Sequence, residues 1–244
     1  AEMYRQVERP FKVYPGMSSV ILDYQNIMGF LVLLFCVVIA APVFSADYQS
    51  GAEDILRCTR HGRRRLGVAK VLAALLVSGV SFVLCAAVYI LIADSLFGWE
   101  CLRTSIQMMY SIVTLADLDV GGLQFLFAAA GLLSVLASVS FTLFLSAGCK
   151  STVASLSSAL VFGILPVVVS MAVPGALSTW LCCILPASGT SIQASILYAI
   201  TDFKFLNLGG LAVWTPYAMI GACVVEIPLF SFLAVWSYCG HAGK

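Results

Sequence analysis

Side chains that could do chemistry are few in this chain, and they fall in two places. Glu226 is the acidic residue set deep within a long apolar run, in Cys223-Val-Val-Glu226-Ile-Pro228. A carboxyl group at such depth in a bilayer is costly and marks a functional position by default. It could take a proton, line a substrate path, or pair with a polar group on another helix such as Ser157 or Thr142. Pro228, two residues on, would loosen the helix and free a carbonyl for a protonated Glu226. The second place is the connection 46–70, which holds six of the thirteen Lys and Arg residues: Arg57, Arg60, Arg63, Arg64, Arg65 and Lys70.

Motifs for catalysis do not occur. There is no GxxxxGK[ST] phosphate loop, so any ATP hydrolysis must come from another chain. His61 and His241 are far apart with no HExxH, and no Gly-x-Ser-x-Gly is present. Asp117 and Asp119 beside Gly121 and Gly122 read as a solvated turn. The nine cysteines lack metal or disulfide spacing and mostly lie in or beside apolar runs, where free Cys behaves as a small hydrophobe.

The elements that must position these residues follow from composition. Of 244 residues, 61% are hydrophobic and 10% charged, and mean hydropathy is +1.01. A soluble domain carries about 25% charged residues, so the chain is read as an all-α polytopic membrane protein. The net charge of +1 is clustered, not spread over a face, which gives no surface for nucleic acid.

A membrane helix needs about 20 apolar residues. Runs at about 26–46, 68–93, 122–148, 152–173 and 217–239 qualify. A sixth stretch, about 177–200, is broken at its centre by Pro186, Ser188, Gly189, Thr190, Ser191 and Gln193. Irregular backbone at that depth requires protein or water around it, so this stretch is predicted to dip in as a re-entrant helical hairpin. Ser134, Ser138 and Ser140, among small residues of the 122–148 run, read as helix packing positions. Trp99, Trp180, Trp214 and Tyr110 read as an interfacial aromatic belt.

The positive-inside rule orients the chain. The 47–67 connection, the turn bearing Lys150 and the C-terminus bearing Lys244 are predicted cytoplasmic, in a multi-pass protein of the cell membrane. The connection 94–121, with Arg103 against Asp94, Glu100, Asp117 and Asp119, is predicted external. This makes 1–25 an external N-terminal segment and 26–244 the transmembrane domain. An external N-terminus with no span before it leads to the expectation that a first transmembrane helix precedes residue 1.

The basic connection also carries a pattern. It runs Phe44-x-x-Asp47-x-x-x-Gly51, then Leu56-x-x-Thr59-x-x-x-Arg63, with Lys70 seven residues later. This resembles the loop after the second helix of ABC-2 type transporter permeases: an aromatic, an acidic residue, a Gly, then L-x-T-x-x-x-R and a Lys. Asp47 stands where Glu is commoner, and Arg60 replaces a usual Pro. The resemblance extends over the chain and implies the ABC-2 exporter transmembrane fold, with the five runs as second to sixth spans and 177–200 as the re-entrant region.

The resemblance further implies that 47–66 is a coupling helix docking on a cytoplasmic ATPase. Asp47, Gly51, Glu53, Asp54, Ile55, Leu56, Arg57 and Thr59 would form it. Ser50 would be its N-cap, the acidic pair its first turn, Ile55 and Leu56 its apolar patch, and Gly62 its end. Arg63, Arg64, Arg65 and Lys70 would then anchor at the membrane surface, where anionic lipid attracts each charge by about 1 kcal/mol. The chain itself would need no cofactor; ATP and magnesium would sit on partner ABC ATPase subunits. A second permease copy or related subunit would complete the path, through which an amphipathic, peptide, drug or lipid-like cargo would leave the cytoplasm. Two other classes fit the residues: a non-pumping assembly or immunity factor, and a proton-coupled secondary transporter using Glu226.

Overall fold

The computed structural model describes residues 11–15, 18–51, 62–110, 114, 116–173, 175–202, 204–208 and 211–240. Among them are eight α-helices: α1 (Ser19–Ala40), α2 (Pro42–Ser50), α3 (Gly62–Phe97), α4 (Val120–Gly148), α5 (Thr152–Ala172), α6 (Ala176–Ile184), α7 (Ile196–Thr201) and α8 (Thr215–Gly240). By length and composition five units can cross a membrane: α1 with α2 as one bent span, α3, α4, α5 and α8. Their order matches the five predicted runs. The bent span covers 32 residues, about 48 Å of helix, against a hydrocarbon core of about 30 Å. It is therefore long enough to span even when tilted.

Helix α4 is the axis of the bundle, packed against α8, α3, α1, α5 and the turn Pro186–Thr190. Lipid offers no hydrophobic drive for helix association, so close approach and hydrogen bonding must hold the spans together. The sequence of α4 supplies both. A Cβ at Gly131 would lie 2.9 Å from Phe82 of α3. A Cβ at Gly189 would lie 2.7 Å from that of Ser134. Ser138, Ser140 and Thr142 direct their hydroxyls back to the carbonyls four residues earlier, which keeps them satisfied inside the bundle. Ser134 instead donates to the Pro186 carbonyl at 2.9 Å. These serines serve packing, as their small-residue context suggests.

The predicted re-entrant stretch is two short helices, α6 and α7, joined through the Pro186–Thr190 turn. Its irregular backbone is covered by protein: Asn26 of α1 donates to the carbonyls of Ser191 and Ile192 at 3.2 and 3.4 Å. After α7 the chain forms a hairpin that the apolar-run analysis does not foresee. Strands β1 (Phe205–Leu208) and β2 (Leu211–Trp214) pair antiparallel, Phe205 opposite Trp214. The hairpin turns Trp214 inward, against Tyr217 and a buried cluster with Leu197, Leu206 and Met219. Tyr110 packs on the same cluster. Trp214 is thus buried and Tyr110 half-buried against the protein, whereas Trp99 is exposed.

Outward, the spans present large apolar side chains such as Phe35, Leu76, Met171, Phe232 and Trp236. In water this would be an extended adhesive surface. Against acyl chains it is the ordinary surface of a membrane protein.

Candidate functional site

Phe44 and Asp47 of α2 meet Lys70 of α3 at one end of the bundle. Asp47 Oδ2 accepts from Lys70 Nζ at 2.5 Å and from Tyr238 Oη of α8 at 3.2 Å. Lys70 also donates to the Val43 carbonyl at 3.1 Å, and its ammonium lies 5.8 Å from the centre of the Phe44 ring. Phe44 and Tyr238 are fully buried and their rings pack at 4.8 Å. A glycine admits this contact: a Cβ on Gly67 would meet Tyr238 Cδ1 at 3.3 Å. Three spans are thereby tied at one node, and the side chains of Lys70 and Asp47 keep 24% and 17% exposure. The pair is partly desolvated, neither a surface ion pair nor a dry one.

Local sequence explains the approach to the node. Pro42 begins α2 and lacks an N–H, so the span breaks its helical ladder at Ala41. The Ala41 carbonyl accepts from the hydroxyls of Ser45, Ser146 and Ser155 at 3.0, 2.6 and 2.8 Å. Ser146 Oγ in turn accepts from the backbone N–H groups of Phe44 and Ser45, each at 3.1 Å. Tyr48 adds a bond to the Ala147 carbonyl at 3.2 Å. The bend thus presents Phe44 and Asp47 from a held frame.

Gly51 closes α2 in the left-handed conformation, φ +70°, which a glycine adopts without steric penalty. Ser50 differs from the sequence expectation. Its hydroxyl bonds back to the carbonyls of Ala46 and Asp47, because it is the last residue of the span's helix. Gly62 is the first described residue of α3, and the segment it was expected to close lies outside the described residues. Glu53, Asp54, Ile55, Leu56, Arg57 and Thr59 lie outside the described residues, as does the Arg63 side chain. Arg64 and Arg65 are exposed on the first turns of α3.

Glu226 stands apart from this node, twelve residues before Tyr238 on α8 and so about 18 Å along the axis. It is 9% exposed, and its Oε2 has no hydrogen-bond partner among the described residues. The two partners considered from sequence are engaged elsewhere: Ser157 donates to the Val153 carbonyl at the surface, Thr142 to that of Ser138.

Sequence reasoning missed two contributors. Tyr238 looks like an interfacial aromatic at the end of a span, and nothing local signals its bond to Asp47. At the opposite end, Tyr198 of α7 donates to Asp23 Oδ1 of α1 at 2.9 Å. Burial, then its bond to Asp23, pushes the Tyr198 phenol up to about 12. A cleft of about 460 Å³ opens beside it, lined by Ser178, Thr179, Ser195 and Lys204 among others.

Compared with models of known protein families and with curated proteins, the sequence matches none. The composition, the five spanning helices and the helical bundle define an all-α polytopic membrane protein.

Proposed function

We propose that this chain is the transmembrane permease subunit of an ATP-binding-cassette exporter of the ABC-2 type, driven by separate ATPase chains and moving an amphipathic cargo. The observation that carries the reading is the convergence of Phe44, Asp47 and Lys70. These residues belong to one sequence pattern, and Asp47 and Lys70 are 23 positions apart in it. Their convergence closes the base of the 52–61 connection with an ion pair and a ring contact to α8. A connection on so fixed a base suits a lever: force applied by an ATPase to 52–61 would reach α2, α3 and α8 together. A second permease subunit would supply the other wall of the path, and the apolar, sparsely charged spans suit an amphipathic or lipid-like cargo.

A proton-coupled carrier is the second reading, favoured by the buried, unpartnered Oε2 of Glu226. The test that separates them is affinity co-purification through a tag on this chain in mild detergent, wild type against Glu53→Arg with Leu56→Asp. Recovery of a nucleotide-binding ATPase with wild type, lost in the double variant, is expected. Absence of an ATPase from both preparations would reject the exporter reading and move attention to Glu226.

A further inference from the structure

An apolar groove of about 530 Å³ runs between α3 and α8 on the outside of the bundle. Val68, Leu72 and Leu75 form one wall, Phe232 and Trp236 the other, and Arg64 stands at its mouth. Gly67 and Tyr238 close the two helices against each other beside it. The one hydroxyl along the groove, Ser231, is held by Ser140 at 3.4 Å. What the groove offers an occupant is therefore an apolar channel with a cation at one end. Arg64 has no ion-pair partner among the described residues, in contrast to Lys70 one and a half turns further on.

The dimensions select the occupant. From Arg64 to Leu75 the groove follows α3 for eleven residues, about 17 Å. One leaflet of the hydrocarbon core is about 15 Å deep. A groove that starts at a guanidinium and continues as bare hydrocarbon wall for one leaflet depth matches a phospholipid acyl chain with its phosphate at the mouth. Arginine suits phosphate because its planar fork can donate two bonds at once. A second copy of this chain would leave Arg64 facing apolar side chains or its own symmetry mate, which the charge disfavours.

We propose that the α3–α8 groove is a binding site for a single anionic phospholipid of the leaflet adjoining the node, with Arg64 as its headgroup contact. The inference does not depend on the exporter reading, since it rests on the groove and its cation alone. Lipid seated there would brace α3 against α8.

Native mass spectrometry of the full chain in mild detergent tests this. The protein is offered an equimolar mixture of phosphatidylglycerol and phosphatidylcholine with identical acyl chains. Wild type should retain one lipid with about a five-fold preference for phosphatidylglycerol, the ratio that corresponds to about 1 kcal/mol. Arg64→Gln should bring that preference close to parity. Val68→Phe with Leu72→Trp should fill the groove and remove the retained lipid of either kind. Leu84→Phe, at an exposed position of α3 away from the groove, should change nothing. An unaltered preference in Arg64→Gln, or an unaltered occupancy in the filled groove, overturns the proposal. So does a shift from dimer to monomer on filling, which would make the groove an interface between copies. Arg64→Gln is a surface change, so its result stands even if the filled variant proves unstable.

Discussion

Removing the ammonium of Lys70 is the sharpest test of the node. Lys70→Met keeps most of the aliphatic stem and leaves the Asp47 carboxylate with Tyr238 Oη as its remaining partner, while the Val43 carbonyl loses a donor. At 2.5 Å and an effective dielectric of about 20, the gross attraction is about 7 kcal/mol, most of it offset by desolvation of both ions. Exposed pairs are worth about 0–1 kcal/mol and breaking a dry pair costs about 3–5 kcal/mol. With 24% and 17% side-chain exposure, this pair falls between, and a loss of about 2–3 kcal/mol is expected. For a chain of this size that is a fall in Tm of about 4–12 °C, followed by tryptophan fluorescence during heating in a fixed detergent. Asp47→Asn should behave similarly. Combining it with Lys70→Met should recover about half the loss, since neither charge is then left alone. Two single variants each within about 2 °C of wild type would refute the reasoning. So would a double variant whose loss is the plain sum of the two.

Gly189→Ala should destabilise by about 1–3 kcal/mol through overpacking, and by more than Gly131→Ala. The new methyl at 189 meets Ser134 Cβ, fixed close to its backbone, whereas at 131 it meets the far edge of the Phe82 ring; comparative thermal scans decide the order. Glu226→Gln should leave Tm unchanged or raise it, because the carboxylate it removes has a buried oxygen with no partner; a loss above about 2 kcal/mol would show a hidden structural bond. The Tyr198 phenol is raised to about 12 in the fold from an ordinary value near 10. Its contribution to stability is thus fully present below pH 10 and fades as pH climbs toward 12. Ultraviolet titration of Tyr198→Phe against wild type should lack an ionisation above pH 11.

The spans were legible because a bilayer demands long apolar runs, and nothing else in a chain produces them. Their ends were less so. Gln25 and Asn26 look like the polar border of a run that starts at 26, yet both are buried and the helix extends back to Ser19. Their amides bond the Gln124 and Ser191 carbonyls, at 3.5 and 3.2 Å, partners about 100 and 165 residues away that no local pattern announces. The break in 177–200 could be read because Pro186 and Gly189 interrupt a helical run, and two short helices flank the Pro186–Thr190 turn. The hairpin 205–214 was hidden for the opposite reason, its strands being four residues each and too short for a periodicity to register. At the node, Phe44, Asp47 and Lys70 stood out only through their resemblance to a family pattern, which assigned Asp47 and Lys70 different roles; their contact, like those of Tyr238 and Ser146, enters only through three-dimensional packing. Ser50 shows the same limit: a serine before acidic residues suggests an N-cap, but the span ahead of it had not yet ended.

The bend at Ala41 has a consequence of its own. A carbonyl oxygen has two lone pairs, and three serine hydroxyls compete for this one, each from a different helix: Ser45 from α2, Ser146 from α4 and Ser155 from α5. The acceptor is oversubscribed. If α2 swings relative to either neighbour, one donor can let go while two remain, and the carbonyl is never stranded in an apolar surrounding. The joint can therefore turn by exchanging partners one at a time, without the free-energy step of a bare buried oxygen that would lock a single-donor bend in place.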